Sequence, residues 1–237
     1  MTLVSVLSPA DLPAATLAER AYAQIKQLIF DFHLLPGDRF SEADLTQRVQ
    51  VSRTPLRQAL QRLQREGFLL VFPKSGWQVA PLNFEAFDQL YDLRILLETH
   101  AVARLCEVEE RPTLRELADT WLVPAEDRVN HPLPVGQMDE EFHAALVRAV
   151  GNSEMTRVHA DITERIRIIR RLDFIKPARV DLTYDEHARI LRAITRRRTD
   201  EAQRLLRAHV EQSKLEVRHI TLDMLYQARQ RLAAELA

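Results

Sequence analysis

The 237-residue chain is predicted to be mainly α: a head of three helices and a β-hairpin, followed by an all-α antiparallel helical bundle. Apolar residues recur at helical spacing along most of its length. Strand signals are confined to one stretch between Phe68 and Pro81. Only 5 glycines and 6% aromatic residues argue against an all-β fold or one built on glycine-rich loops. Hydrophobic content of 46% and charge of 28% are globular values, and the length suits one large or two modest domains, each with a core. The single cysteine, Cys106 in the apolar run "HAVARLC", excludes an internal disulfide framework, reads as a packing residue and fits a reducing cytosol. No apolar run approaches the roughly 18 residues that a membrane span needs. "MTLVSVLSPADLP" lacks the basic start of a signal peptide. A cytoplasmic chain with a flexible lead-in over residues 1–15 is therefore expected.

The first domain is assigned to residues 16–82. Thr16 and Glu19 make a capping-box pattern, and Ala21, Ile25 and Ile29 then space an amphipathic helix that the Pro-Gly turn "LLPGD" ends. Ser41 opens a short second helix, "SEADLTQRV". Ser52 is the expected N-cap of a third, with Pro55 in the first turn, where its missing N–H costs little. Leu56, Leu60 and Leu63 supply its apolar face, and Gly67 closes it. "FLLVF", a "PKSG" turn and "WQVAP" complete a hairpin, and Pro81 and Asn83 mark the boundary. These are the dimensions of a winged helix-turn-helix.

Charge agrees with that assignment. Net charge is −1 overall, yet residues 48–74 carry six basic residues against one acid, Glu66, the footprint expected for phosphate contact. The first turn of the third helix would enter the major groove of double-stranded DNA. Arg53 and Arg57 lie four apart and suit the guanine edge, while Ser52 and Thr54 reach phosphate. Lys74, Ser75 and Gly76 form the wing tip. The stretch "VSRTPLRQALQRLQREG", with "LLPGDRFSE" before it and "PKSGWQVAP" as the wing, resembles the N-terminal domain of GntR-family transcriptional regulators. One position departs: Ala43 stands where the family often has arginine, which places one family DNA contact in question.

Residues 83–237 read as helices, interrupted near Pro112, Pro124, Pro132, Gly151 and Pro177. "QMDEEFHAALVRAVGN" sets Asp139 and His143 one turn apart on one helix face. His187 follows in a helix whose start is expected at a Thr183/Glu186 capping box, and His209 in the next, capped by Thr199. His187 is 11 residues before Arg198 and His209 is 11 after it. In an antiparallel pair turning near Arg198, the two histidines stand at one height. Three imidazoles and a carboxylate suit a divalent transition metal: zinc first, with nickel and manganese as alternatives.

The same four positions fill the motif of the FCD-type effector domain of the FadR subgroup of GntR regulators, which the chain resembles from about Phe84 to Arg218. The resemblance is weakest over residues 107–136, whose prolines leave the path open; His131 there reads as a loop residue. It implies a homodimeric transcription factor, most often a repressor, that reads a palindromic operator and binds a small organic acid on the metal. An arginine of the domain's first helix often holds that acid, and Arg94 matches it, though Arg94 could equally be a surface partner of Glu98. Asn152, at a helix break, is a second candidate contact. One of the arginines of "ERIRIIRRL" could also face the site, but periodicity does not say which. Residues 221–237 extend the last helix. A metalloenzyme using the same ligands, or a DNA-binding dimer with a vestigial bundle, are the alternatives. No phosphate loop, GxSxG elbow or Cys-His pair supports catalysis, so the chain is not expected to be an enzyme.

Overall fold

The computed structural model describes residues 16–108, 112–129, 131–174 and 177–217, with isolated positions beyond. The expected lead-in and nearly all of the expected terminal extension lie outside the described residues. The chain separates into two compact units, Met1–Leu82 and Asn83–Ala237.

In the first unit, α1 (Leu17–Phe30) starts at the reciprocal capping box between Thr16 and Glu19 and buries Ala21, Ile25 and Ile29. It ends sooner than the Pro-Gly turn, at Asp31, because Phe32 takes a left-handed conformation at φ 57°. A two-residue strand, β1 (Arg39–Phe40), precedes α2 (Glu42–Val49), which Ser41 and Asp44 cap reciprocally. The left-handed Gln50 ends α2 and turns the chain into α3 (Arg53–Arg65), whose buried face is Leu56, Ala59, Leu60 and Leu63. Each such leucine contributes about 1.5–3 kcal/mol by leaving water. Gly67, at φ 83°, follows the helix.

The hairpin is β2 (Leu69–Phe72) with β3 (Gly76–Val79), and β1 adds to the far side of β3 in a three-stranded antiparallel sheet ordered β1-β3-β2. Two residues carry too little alternation for β1 to be legible as a strand. It explains Gly76. A Cβ there would meet the Phe40 carbonyl oxygen at 2.6 Å, and φ is +91°. The glycine is therefore required by sheet packing, where the sequence alone suggests an approach to DNA.

The second unit is all α among its described residues. Helix α4 (Phe84–Glu107) starts at an Asn83 cap, and α5 (Pro112–Trp121) and a 3-10 turn (Ala125–Asp127) follow. Then come α6 (Pro132–Arg148), α7 (Ser153–Asp173), α8 (Pro177–Thr195) and α9 (Thr199–Val217). The proline-rich stretch before residue 136 thus supplies one short helix and the start of α6, with His131 at the N-cap position. Cys106 is buried in α4. The start of α8 lies upstream of the expected capping box. Thr183 sits inside the helix, its hydroxyl donating back to the Arg179 carbonyl, so the Thr-x-x-Glu pattern is coincidental there. No helix of the described residues is long and apolar enough to cross a membrane.

Candidate metal centre and nucleic-acid interface

In the first unit, Arg53 and Thr54 open α3 exposed, and Lys74 and Ser75 are exposed at the turn of the hairpin. Ser52 has the extended backbone of an N-cap, but its side chain makes no capping bond. The expected cap therefore holds in backbone only. Its hydroxyl and the first N–H groups of α3 face outward, where an anion satisfies them. Arg57 is exposed but tied: its Nε donates to both carboxylate oxygens of Glu42, at 2.9 and 3.0 Å. That fork fixes the direction of the guanidinium. Nothing in the periodicity of α3 announces a partner 15 residues upstream.

In the second unit, the four expected ligands converge. One donor atom each from Asp139, His143, His187 and His209 lies within 4.8 Å of the others, and all four residues are buried. The α8–α9 pair turns through Arg197, left-handed at φ 57°, and sets the Nε2 atoms of His187 and His209 3.4 Å apart. His143 Nε2 stands 3.1 Å from His209 Nε2. Asp139 Oδ1 lies 3.2, 3.6 and 3.8 Å from the Nε2 of His187, His143 and His209 respectively.

The chemistry of this donor set tests whether a cation fits. His143 Nδ1 faces Glu98 Oε2 at 2.6 Å, and His209 Nδ1 faces Glu186 Oε2 at 2.7 Å. A carboxylate accepts, so each Nδ1 carries the proton and each Nε2 presents a lone pair. Asp139 Oδ1 is buried without a hydrogen-bond donor. Among Asp139, His143 and His209, acceptors then face acceptors with no proton between them; His187 Nδ1 is buried without a partner, and with the ring proton on that side its Nε2 presents a lone pair as well. The spacing of these atoms is that of neighbouring ligands around a first-row metal, about 3.4 Å for bonds of about 2.1 Å in a tetrahedron. The residues fit a divalent ion.

Surrounding groups hold the ligands in place. Glu98, fully buried, accepts from Arg94 Nε at 2.6 Å and from His159 Nε2 at 2.9 Å in addition to His143. Glu186 accepts from Arg179 at 3.1 Å as well as from His209. His143 and His209 are thus each oriented by an arginine-paired glutamate, the arrangement that fixes a ligating imidazole's tautomer. His187 is held by packing: it stacks on Phe142 at 3.7 Å and meets the edge of Trp121 at 4.2 Å. Arg170 pairs with Asp139.

Burial, then the charge of neighbouring groups, holds the His187 and His209 imidazoles well below the usual histidine range, and burial lowers His143 too. Burial works to raise the Glu98 carboxyl, but Arg94 and then His143 keep it well below the carboxylate range. The His143, His187 and His209 imidazoles are therefore held toward the neutral form that ligates, and Glu98 toward the ionised form that accepts from His143.

Arg94 pairs with Glu98, as one of the two sequence readings has it, but the pair is buried and not on the surface. Asn152 stands apart from the cluster. Its exposed side chain caps α7, accepting from the N–H groups of Glu154 and Met155, so its polar oxygen is engaged at the helix start and is no pocket contact. Among the α7 arginines, Arg165 is exposed and Arg167 pairs with Glu140 and Glu164 at the rim. Arg170 is the one that faces inward. Glu98, His159 and Arg179 carry no spacing signal of their own. Glu98 shows only as the i+4 partner of Arg94, and Glu186 only as the neighbour of His187.

Two family models match this chain: bacterial regulatory proteins of the gntR family over residues 17–79, and the FCD domain over residues 89–212. It is 34% identical to the Nta operon transcriptional regulator of Aminobacter aminovorans, over 76% of this chain and 84% of that one. It is 25% identical to the gluconate operon transcriptional repressor of Bacillus subtilis, over 60% and 58% of the two chains. A crystal structure of a GntR transcriptional regulator from Rhodococcus sp. RHA1 shares the fold, with a TM-score of 0.69 at 21% identity, covering 86% of this chain and 98% of that one. The FCD model alone spans about half of the sequence, and it does so over the helices that carry the histidine cluster. The chain belongs to the GntR family, in the group with an FCD domain, and is a DNA-binding transcriptional regulator rather than an enzyme.

Proposed function

We propose that this regulator is a cytoplasmic, homodimeric repressor whose bundle senses a small organic acid through a divalent metal. The observation that carries this reading is the convergence of four buried candidate ligands, Asp139, His143, His187 and His209, of which Asp139, His143 and His209 turn acceptors toward one another. When bound, a divalent ion supplies a Lewis acid to which a carboxylate adds, with zinc favoured by the three imidazoles and nickel or manganese tolerated. Arg94 lies beside the cluster through Glu98 and offers a further donor to the same carboxylate. The gluconate repressor among the relatives acts on an operon named for an acid, in keeping with such an effector. The acid changes DNA occupancy by binding one arrangement of the dimer better than another. Replacement of His143 by alanine is expected to preserve operator binding and abolish the response to an acid that raises the melting temperature of the wild type. A full response in that variant would separate sensing from the metal.

The surface of α4 supports the dimer. Its inner face is buried, yet Leu93 and Leu96 are exposed on the outside, Leu96 by 63%. With the half-buried Leu97 and with His100 they form one stripe at helical spacing. Two copies of this face cover each other in an isologous contact. Glutamate at both Leu93 and Leu96 is expected to give a monomer by sedimentation at micromolar concentration; an unchanged assembly would place the contact elsewhere.

A further inference from the structure

Two buried guanidinium groups beside the metal cluster have donors to spare. Arg94 is 1% exposed and spends Nε on Glu98, leaving a buried Nη2 without a partner. Arg170 is 5% exposed and spends one terminal nitrogen on Asp139, leaving a buried Nη1 without a partner. They come from different helices, α4 and α7, and join the same cluster: Arg94 through Glu98 to His143, Arg170 through Asp139. A buried arginine N–H without an acceptor costs roughly 1–3 kcal/mol or more, and two around one site are matched by one ligand that brings acceptors to both.

Charge counting gives the same answer. The cluster encloses the guanidiniums of Arg94, Arg170 and Arg179 and the carboxylates of Glu98, Asp139 and Glu186. These balance, and the histidines are neutral. A divalent ion then adds two positive charges to a cluster whose four candidate ligands are buried, which a single carboxylate halves and a dianion cancels.

We propose that the effector is a doubly charged acid, one carboxylate directed to the metal and Arg94 and the second held by Arg170. This rests on the metal-and-carboxylate reading above and adds the second anionic group. Arginine suits the task, because its planar fork can serve Asp139 and a ligand carboxylate together.

The test is calorimetric, on the full-length zinc-loaded protein, with malonate, succinate and glutarate each compared with its own monoamide. The monoamide keeps length and shape and loses one charge. At least one diacid is expected to bind about tenfold or more tightly than its monoamide, the scale of one charge-assisted hydrogen bond. Arg170→Gln should bring that ratio to about one; because Arg170 also holds Asp139, the ratio is the readout, and any weakening of the metal site falls on diacid and monoamide alike. If Arg170→Gln loses its zinc, Arg170→Lys, which keeps the charge beside Asp139 but not the fork, is read for the same drop in ratio. Equal affinity of diacid and monoamide at all three lengths overturns the proposal, as does an equal loss of both in the Arg170 variant. Binding of neither kind of ligand to the zinc-loaded protein overturns the carboxylate reading itself.

Discussion

His187→Ala and His209→Ala proteins should each purify without the divalent ion proposed for the wild type, and should still bind operator DNA. Each substitution removes one of four converging donors. Loss of a group that merely orients a ligand typically weakens metal affinity about 10- to 100-fold, so loss of a ligand itself should exceed that. The two variants should differ in stability. Removing His187 leaves a space between Phe142 and Trp121, against which its ring packs, and strips nothing from the glutamates. Removing His209 takes a donor from Glu186, which Arg179 also serves, and a part-buried carboxylate with one fewer donor costs about 1–3 kcal/mol. Elemental analysis after purification, and the fall in melting temperature on adding a chelator, read both effects. A ligand that binds only the folded chain raises its melting temperature, and removing it reverses that gain. Undiminished bound metal in both variants would refute the site.

Alanine at Arg53 or at Arg57 should sharply reduce discrimination between operator and unrelated DNA, with metal content and assembly unaltered. Both side chains are exposed at the start of α3 and make no contribution to its core. A bidentate arginine contact to a guanine edge discriminates by about 1–3 kcal/mol, so each variant should lose roughly five- to 150-fold in specific affinity. Arg57 should also show a dependence on Glu42 that Arg53 lacks. Its Nε is held in the Glu42 fork, leaving the terminal nitrogens to make the contact, so Glu42→Ala should weaken specific binding in the wild type and change little once Arg57 is gone. Competition binding against a scrambled duplex at fixed salt measures this. Retained specificity in Arg53→Ala and Arg57→Ala would move recognition away from α3.

Much of this was legible in the residues. Helices bounded by local chemistry, such as the Thr16/Glu19 and Ser41/Asp44 caps, appear where side chains one turn apart can satisfy each other. The four-residue cluster was legible because helical geometry converts spacing into direction: four residues for Asp139 and His143, and equal distances from a turn for His187 and His209. The limits have the same origin. Thr183 and Glu186 have capping spacing, but a helix that already began at Pro177 has no open N–H for them to satisfy. Strand β1 is too short to show a period. Glu98, His159 and Arg170 reach the site from α4 and α7, and contacts between distant helices leave no mark on spacing. Asn152 shows the opposite error, since a residue beside a helix break has local N–H groups to bond before any ligand.

The α8–α9 turn carries a consequence for how this domain tolerates change. Residues 196–198 are exposed, and exposed loops ordinarily accept insertions. The constraint lies inside the helix that follows. One residue added within α9 between Thr199 and His209 would rotate His209 by about 100° about the helix axis and displace it by about 1.5 Å, turning the imidazole out of the cluster. The turn is open to drift, while the helical spacing that leads to His209 is under the same constraint as the histidine itself.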